Sequence, residues 1–128
     1  MTRAFAVVVL FAAFAASAQT TPSPDLIAQQ IRHLRWLDTA DVRADFQRHV
    51  VREHDIRFIA VYGFTTMLPG TDDRRDAPLI RQHGYRYIEG TSDAILSPEH
   101  HRLIDRAKEY ARQYNSMLLS YLRTTKKT

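Results

Sequence analysis

From Ser97 the sequence holds a helical apolar pattern longer than any other in the chain. Ser97-Pro98-Glu99 has the form of a helix start, with a capping hydroxyl, a proline suited to the first turn and an acid for the N-terminal dipole. Leu103, Ala107, Tyr110, Tyr114, Met117 and Tyr121 then recur by threes and fours, and Ile104, Ala111 and Leu118 widen the stripe. The spacing predicts one helix reaching Leu122, about 35 Å long at about 1.5 Å per residue. Its tyrosines fall at core-facing spacing, which places them as packed rings with their hydroxyls at the edge. A ladder for stacking a ligand is the alternative.

Upstream, Ser23, Pro24 and Asp25 suit a cap, a first helical position and a first-turn acid. Leu26, Ile27, Ile31 and Leu34 follow at helical spacing, with Trp36 and Leu37 near the end. Asp38-Thr39 reads as a second cap, and Val42, Phe46 and Val50 carry a second helix to about His54. Ile56 to Tyr62 is β-branched and aromatic, with apolar residues in both alternating sets, so it predicts a strand covered on both faces. Pro69-Gly70 marks a turn. Ala77 to His83 fits a short helix stopped by Gly84, and Tyr85 to Glu89 a second strand. Strand, helix, strand suggests a right-handed parallel crossover; an antiparallel pair with Thr65 to Gly84 as an excursion is the alternative. Two strands make a poor sheet, and Ala94-Ile95-Leu96 is the candidate third. The expected class is α/β, with α+β possible: a small two-layer domain of two helices, strand, short helix, strand and long C-terminal helix.

The N-terminus reads differently. Arg3 precedes an unbroken apolar run from Ala4 to Ala16, and Ala16-Ser17-Ala18 offers a small-x-small cleavage site. The run is about thirteen residues, short of the roughly twenty a spanning helix needs. Residues 1–18 are therefore expected to be a cleavable signal peptide, and residues 19–128 one globular domain of about 110 residues with no membrane span after cleavage. No cysteine is present, which rules out disulfides and thiol chemistry. Basic residues are mostly arginine, with lysine only at Lys108, Lys126 and Lys127. Together these point to the periplasm or the outside of a bacterium. The formal net charge is +4 and falls to about +3 without Arg3. Arginines alternate with acids along most of the chain, so the clustered basic face that nucleic-acid binding wants is missing.

In a parallel arrangement both strand ends open on one side, where α/β sheets bind ligands. Gly63-Phe64-Thr65-Thr66 and Glu89-Gly90-Thr91-Ser92-Asp93 fall there. The candidate ligand-binding residues are Thr65, Thr66, Glu89, Thr91, Ser92 and Asp93, although the same residue types also serve turns. His49 with Glu53, and His101 with Asp105, lie at i, i+4, with His54 and His100 alongside; no ligand motif of fixed zinc spacing is present. Gly90-Thr91-Ser92-Asp93-Ala94 comes one residue short of a nucleophile elbow, and no histidine follows His101. The scattered glycines form no phosphate loop, and no cofactor is expected. The first expectation is an exported, non-catalytic protein binding a protein partner or small ligand in the envelope. The alternatives are a small periplasmic hydrolase using the strand ends, and a metal-binding protein using its histidines.

Overall fold

Three of the described α-helices begin at a side chain, Ser23, Asp41 or Ser97, that accepts one of their first N–H groups. The computed structural model describes residues 23–62, 65–92 and 94–126; the expected signal peptide lies outside them. Ser23 accepts the Leu26 N–H at 3.1 Å and opens α1, Pro24–Leu34. A 3₁₀ turn, Arg35–Asp38, follows. The second helix, α2, spans Val42–Phe46 and runs on as a π-helical turn, Gln47–Arg52. Its cap is Asp41, which accepts the Ala44 N–H at 3.1 Å, and not Asp38-Thr39 as the sequence suggested. Asp38 instead takes a two-toothed ion pair from Arg102 at 2.9 and 3.1 Å. The π turn ends where His54 adopts a left-handed φ of 57°.

Strand β1, Phe58–Tyr62, pairs parallel with β3, Tyr85–Tyr87, with Phe58 opposite Tyr85 and Ala60 opposite Tyr87. The crossover helix between them is α3, Ala77–His83, stopped at Gly84. The third strand, β2, is Thr66–Met67, antiparallel to β1, giving the order β2-β1-β3. Ala94-Ile95-Leu96 forms no strand. A short return after β1 reaches the free edge at once, whereas the chain after β3 turns away at Gly90, which packs against Gln30 and His33 of α1. The result is a small α/β domain with a mixed sheet.

The long helix α4, Pro98–Lys126, is the element on which the rest packs. Leu103, Ala107, Ala111, Tyr114 and Leu118 are fully or almost fully buried with Leu34, Phe46, Val50 and Phe58 to Val61. The tyrosines of this helix are core rings. Trp36 meets Tyr110 edge-on at 5.0 Å, and Phe46 meets Tyr114 at 5.6 Å. Burial pushes both tyrosine hydroxyls above their ordinary pKa, and the Tyr110 hydroxyl donates to Asp45 at 2.7 Å.

One polar side chain joins helix to sheet. The β1–β2 register places Pro69 opposite Ile59, and a proline has no N–H to continue the ladder. Asn115 of α4, fully buried, takes that place. Its carbonyl accepts the Ile59 N–H at 2.7 Å, and its amide donates to the Ile59 and Pro69 carbonyls, both at 2.8 Å. Directly beyond, Gly70 has φ 85°, and a Cβ there would sit 2.5 Å from the Arg112 carbonyl oxygen. Gly70→Ala combines a left-handed backbone with a backbone clash, so it is expected to lose about 2–4 kcal/mol. Urea unfolding measures this; a loss under about 0.5 kcal/mol, the size typical of neutral surface changes, would refute the close approach.

Candidate functional site

Because β1 and β3 run parallel, their carboxyl ends lie side by side. The Thr91 hydroxyl shows how they are tied: it accepts the Tyr62 N–H at 2.9 Å and donates to the Ile88 carbonyl at 2.9 Å. Both its hydrogen-bonding roles go to backbone, and the residue is buried. Ser92 donates to the Ala94 carbonyl at 2.8 Å, a local turn bond, and not to a histidine. Glu89 is exposed and faces His33 of α1 at 3.4 Å. Asp93 lies outside the described residues. Thr65 and Thr66 sit on the far side of β1, where they line a groove of about 480 Å³ between β2 and α4 with Asp73, Asp105, Lys108 and Arg112. The five described candidates thus divide between two places. Most charges in that groove are already matched: Arg112 and Gln113 hold the Glu109 carboxyl down at about 2, and Asp105 lies 3.6 Å from His101.

The histidines disperse. His49 pairs with Glu53 at 3.3 Å on the π turn. His100 is fully buried at the start of α4, where Nδ1 accepts the Leu96 N–H at 3.2 Å and Nε2 donates to the Gly90 carbonyl at 2.9 Å. Those partners fix the tautomer and pin the Gly90 turn to the helix. Among the described residues, no three His, Asp or Glu side chains stand close enough to hold a metal.

The surface that sequence reasoning missed is one face of the sheet. Alternation along each strand and the observed registers put Tyr62, Tyr85, Tyr87 and Thr66 on the same face. Tyr87 reaches across β1 to hydrogen-bond Thr66, and its ring lies 5.5 Å from Tyr62 and 5.6 Å from Tyr85. The opposite face carries Ile59 and Val61 and meets α4, where Arg86 comes up to Tyr114. On the tyrosine face Tyr62, Tyr85 and Tyr87 keep 47, 41 and 40 % of their surface in solvent. A signal was present in the i, i+2 spacing of Tyr85 and Tyr87 on a strand. Nothing in the sequence says which strand face a helix will cover.

The edge beside this face is open. Gly84 accepts from the Phe58 N–H and the Ile88 N–H donates to Ala60, so even-numbered positions of β3 turn toward β1. The main-chain groups of Tyr85 and Tyr87 therefore point outward, and among the described residues no strand lies beyond them. No described helix is long and apolar enough to cross a membrane. No family model, curated protein or solved structure matches this chain, so the geometry itself has to carry the functional reading.

Proposed function

We propose that this chain is an exported, non-catalytic protein of the bacterial envelope that recognises a protein partner through its tyrosine face and the outer edge of β3. The observation that carries the reading is the cluster of three half-exposed tyrosines on one sheet face beside an open strand edge. Tyrosine is enriched where partners bind, because it brings a large, rigid, amphipathic surface at low entropic cost. An open edge adds directional main-chain hydrogen bonds to an extended segment, with the rings supplying selectivity. Export rests on Arg3, the Ala4 to Ala16 run and Ala16-Ser17-Ala18.

The test compares the mature chain with a Tyr62→Ala, Tyr85→Ala double variant. Tyr87 stays in place because it bridges to Thr66. Bait of each form is passed over the envelope fraction, with circular dichroism as the folding control. A partner held by the native chain should be lost by the folded variant, and it should slow hydrogen exchange at the Tyr85 and Tyr87 amides. Equal capture by both forms, or protection at other amides only, would remove this face from the function. For export, N-terminal sequencing of the protein outside the cytoplasm should begin at Gln19.

A further inference from the structure

A second surface lies where α4 passes the loop before α3, apart from the tyrosine face. There a groove of about 630 Å³ is lined by Gly70, Arg75, Ser116, Leu119, Ser120, Arg123 and Thr124. Ser116, Ser120 and Thr124 follow each other at i, i+4 on one helix face; the Thr124 hydroxyl donates to the Ser120 carbonyl at 2.8 Å, which leaves the Ser116 and Ser120 hydroxyls along the wall. The arginines come from different elements and meet at one buried carboxylate. Asp76, 1 % exposed, accepts Arg75 Nε on Oδ1 at 3.1 Å and Arg123 Nη2 on the same oxygen at 2.9 Å. Its other oxygen takes the Asp72 N–H at 2.7 Å and Arg75 Nη2 at 3.3 Å.

Asp76 stands at the N-cap position of α3 yet does not cap that helix. Its hydrogen bonds go to fixing the two guanidinium groups side by side. The groove wall itself carries no acid, and Asp72, behind it, adds a second carboxylate that acts on Arg75. What the groove wall presents is the two guanidinium groups beside the Ser116 and Ser120 hydroxyls. Each guanidinium has five N–H donors; Arg75 turns two to Asp76 and Arg123 turns one. Oriented forks and hydroxyls arriving from different directions suit a tetrahedral oxyanion.

We propose that this groove binds a phosphate group, with Arg75 and Arg123 as the charged ligands, the Ser116 and Ser120 hydroxyls as neutral donors and Asp76 as the positioning residue. The group could come from free phosphate or from a phospholipid head group, which share this chemistry. The experiment follows the melting temperature of the mature chain against inorganic phosphate, with sodium chloride at matched ionic strength as the control. A folded-state ligand must raise the transition. A second arm measures co-sedimentation with vesicles containing phosphatidylglycerol, with and without competing phosphate. Arg123→Gln should weaken phosphate binding at least tenfold. Because that change also touches Asp76, Ser120→Ala is the companion: it removes a hydroxyl from the exposed wall, leaves Arg75, Arg123 and Asp76 in place and should weaken phosphate binding severalfold. A phosphate-specific shift without vesicle binding assigns the free anion. Vesicle binding displaced by phosphate assigns the head group. No shift beyond chloride together with no vesicle binding, or binding unaltered in both variants, overturns the proposal.

Discussion

Asn115→Leu is expected to destabilise the fold by about 3–6 kcal/mol, since it leaves two buried backbone groups and one partly buried one without partners, at about 1–3 kcal/mol for each buried group. Those groups are the Ile59 N–H, the Ile59 carbonyl and the Pro69 carbonyl. Leucine keeps asparagine's branched outline and is somewhat bulkier, so no cavity contributes to what the variant reads. Small domains hold only about 5–15 kcal/mol in total, so the variant should unfold at a much lower urea concentration. Asn115→Asp separates the chemistry from the shape. It keeps an acceptor for the Ile59 N–H but presents an oxygen to two carbonyls. At neutral pH it also buries a charge. Protonation restores one donor and removes the charge, so this variant should lie closer to the native protein at pH 4 than at pH 7. A loss below about 1 kcal/mol in Asn115→Leu, no more than one ordinary hydrogen bond, would show that the sheet does not depend on this bridge.

This bridge also marks how far the sequence could be read. Asn115 stands four residues after Ala111 and three before Leu118, inside the apolar stripe that predicted the helix. His100 stands the same way before Leu103 and Ile104. A polar residue at a core position signals a buried partner, but periodicity cannot say which backbone it meets. The long helix, the crossover helix and the strand ending at Tyr62 were legible because their patterns are local. The third strand was not, because two residues carry no period and their pairing depends on where the chain turns after Tyr62. The candidate site divided for the same reason. Thr91 looked like a ligand residue because strand ends collect hydroxyls, and its partners, the Tyr62 N–H and the Ile88 carbonyl, come from chain segments that only the fold brings together. The tyrosine face needed knowledge of which side of the sheet α4 would take.

Asp76→Asn should cost about 2–4 kcal/mol at pH 7, toward the low end for a broken buried ion pair because both arginines are half in water. Its signature is in how that cost changes with pH. Burial alone would raise the Asp76 carboxyl. The hydrogen bonds from Arg75 and the Asp72 N–H, with the charges of Arg75 and Arg123, outweigh it and hold the group below its ordinary value. A folded-state value below that of the unfolded chain, about 3.9, stabilises the protein at every pH above it. That contribution is lost as the pH falls through the folded value. The gap in unfolding free energy between native protein and variant should therefore stay constant from pH 7 to pH 5 and narrow below about pH 4. Asp38, Asp55, Asp72, Glu99 and Glu109 are also held low, by Arg102, Arg57, backbone N–H groups, Arg102 and Arg112 respectively. Four of these five do not touch Asp76, and their acid loss falls on both proteins alike and cancels in the difference. Asp72 is the neighbour whose share can change, since its own N–H binds Asp76. Urea unfolding at pH 7, 5 and 3 measures the gap. A gap that widens in acid, or one absent at pH 7, would mean that Asp76 does not hold the two arginines as an ionised carboxylate.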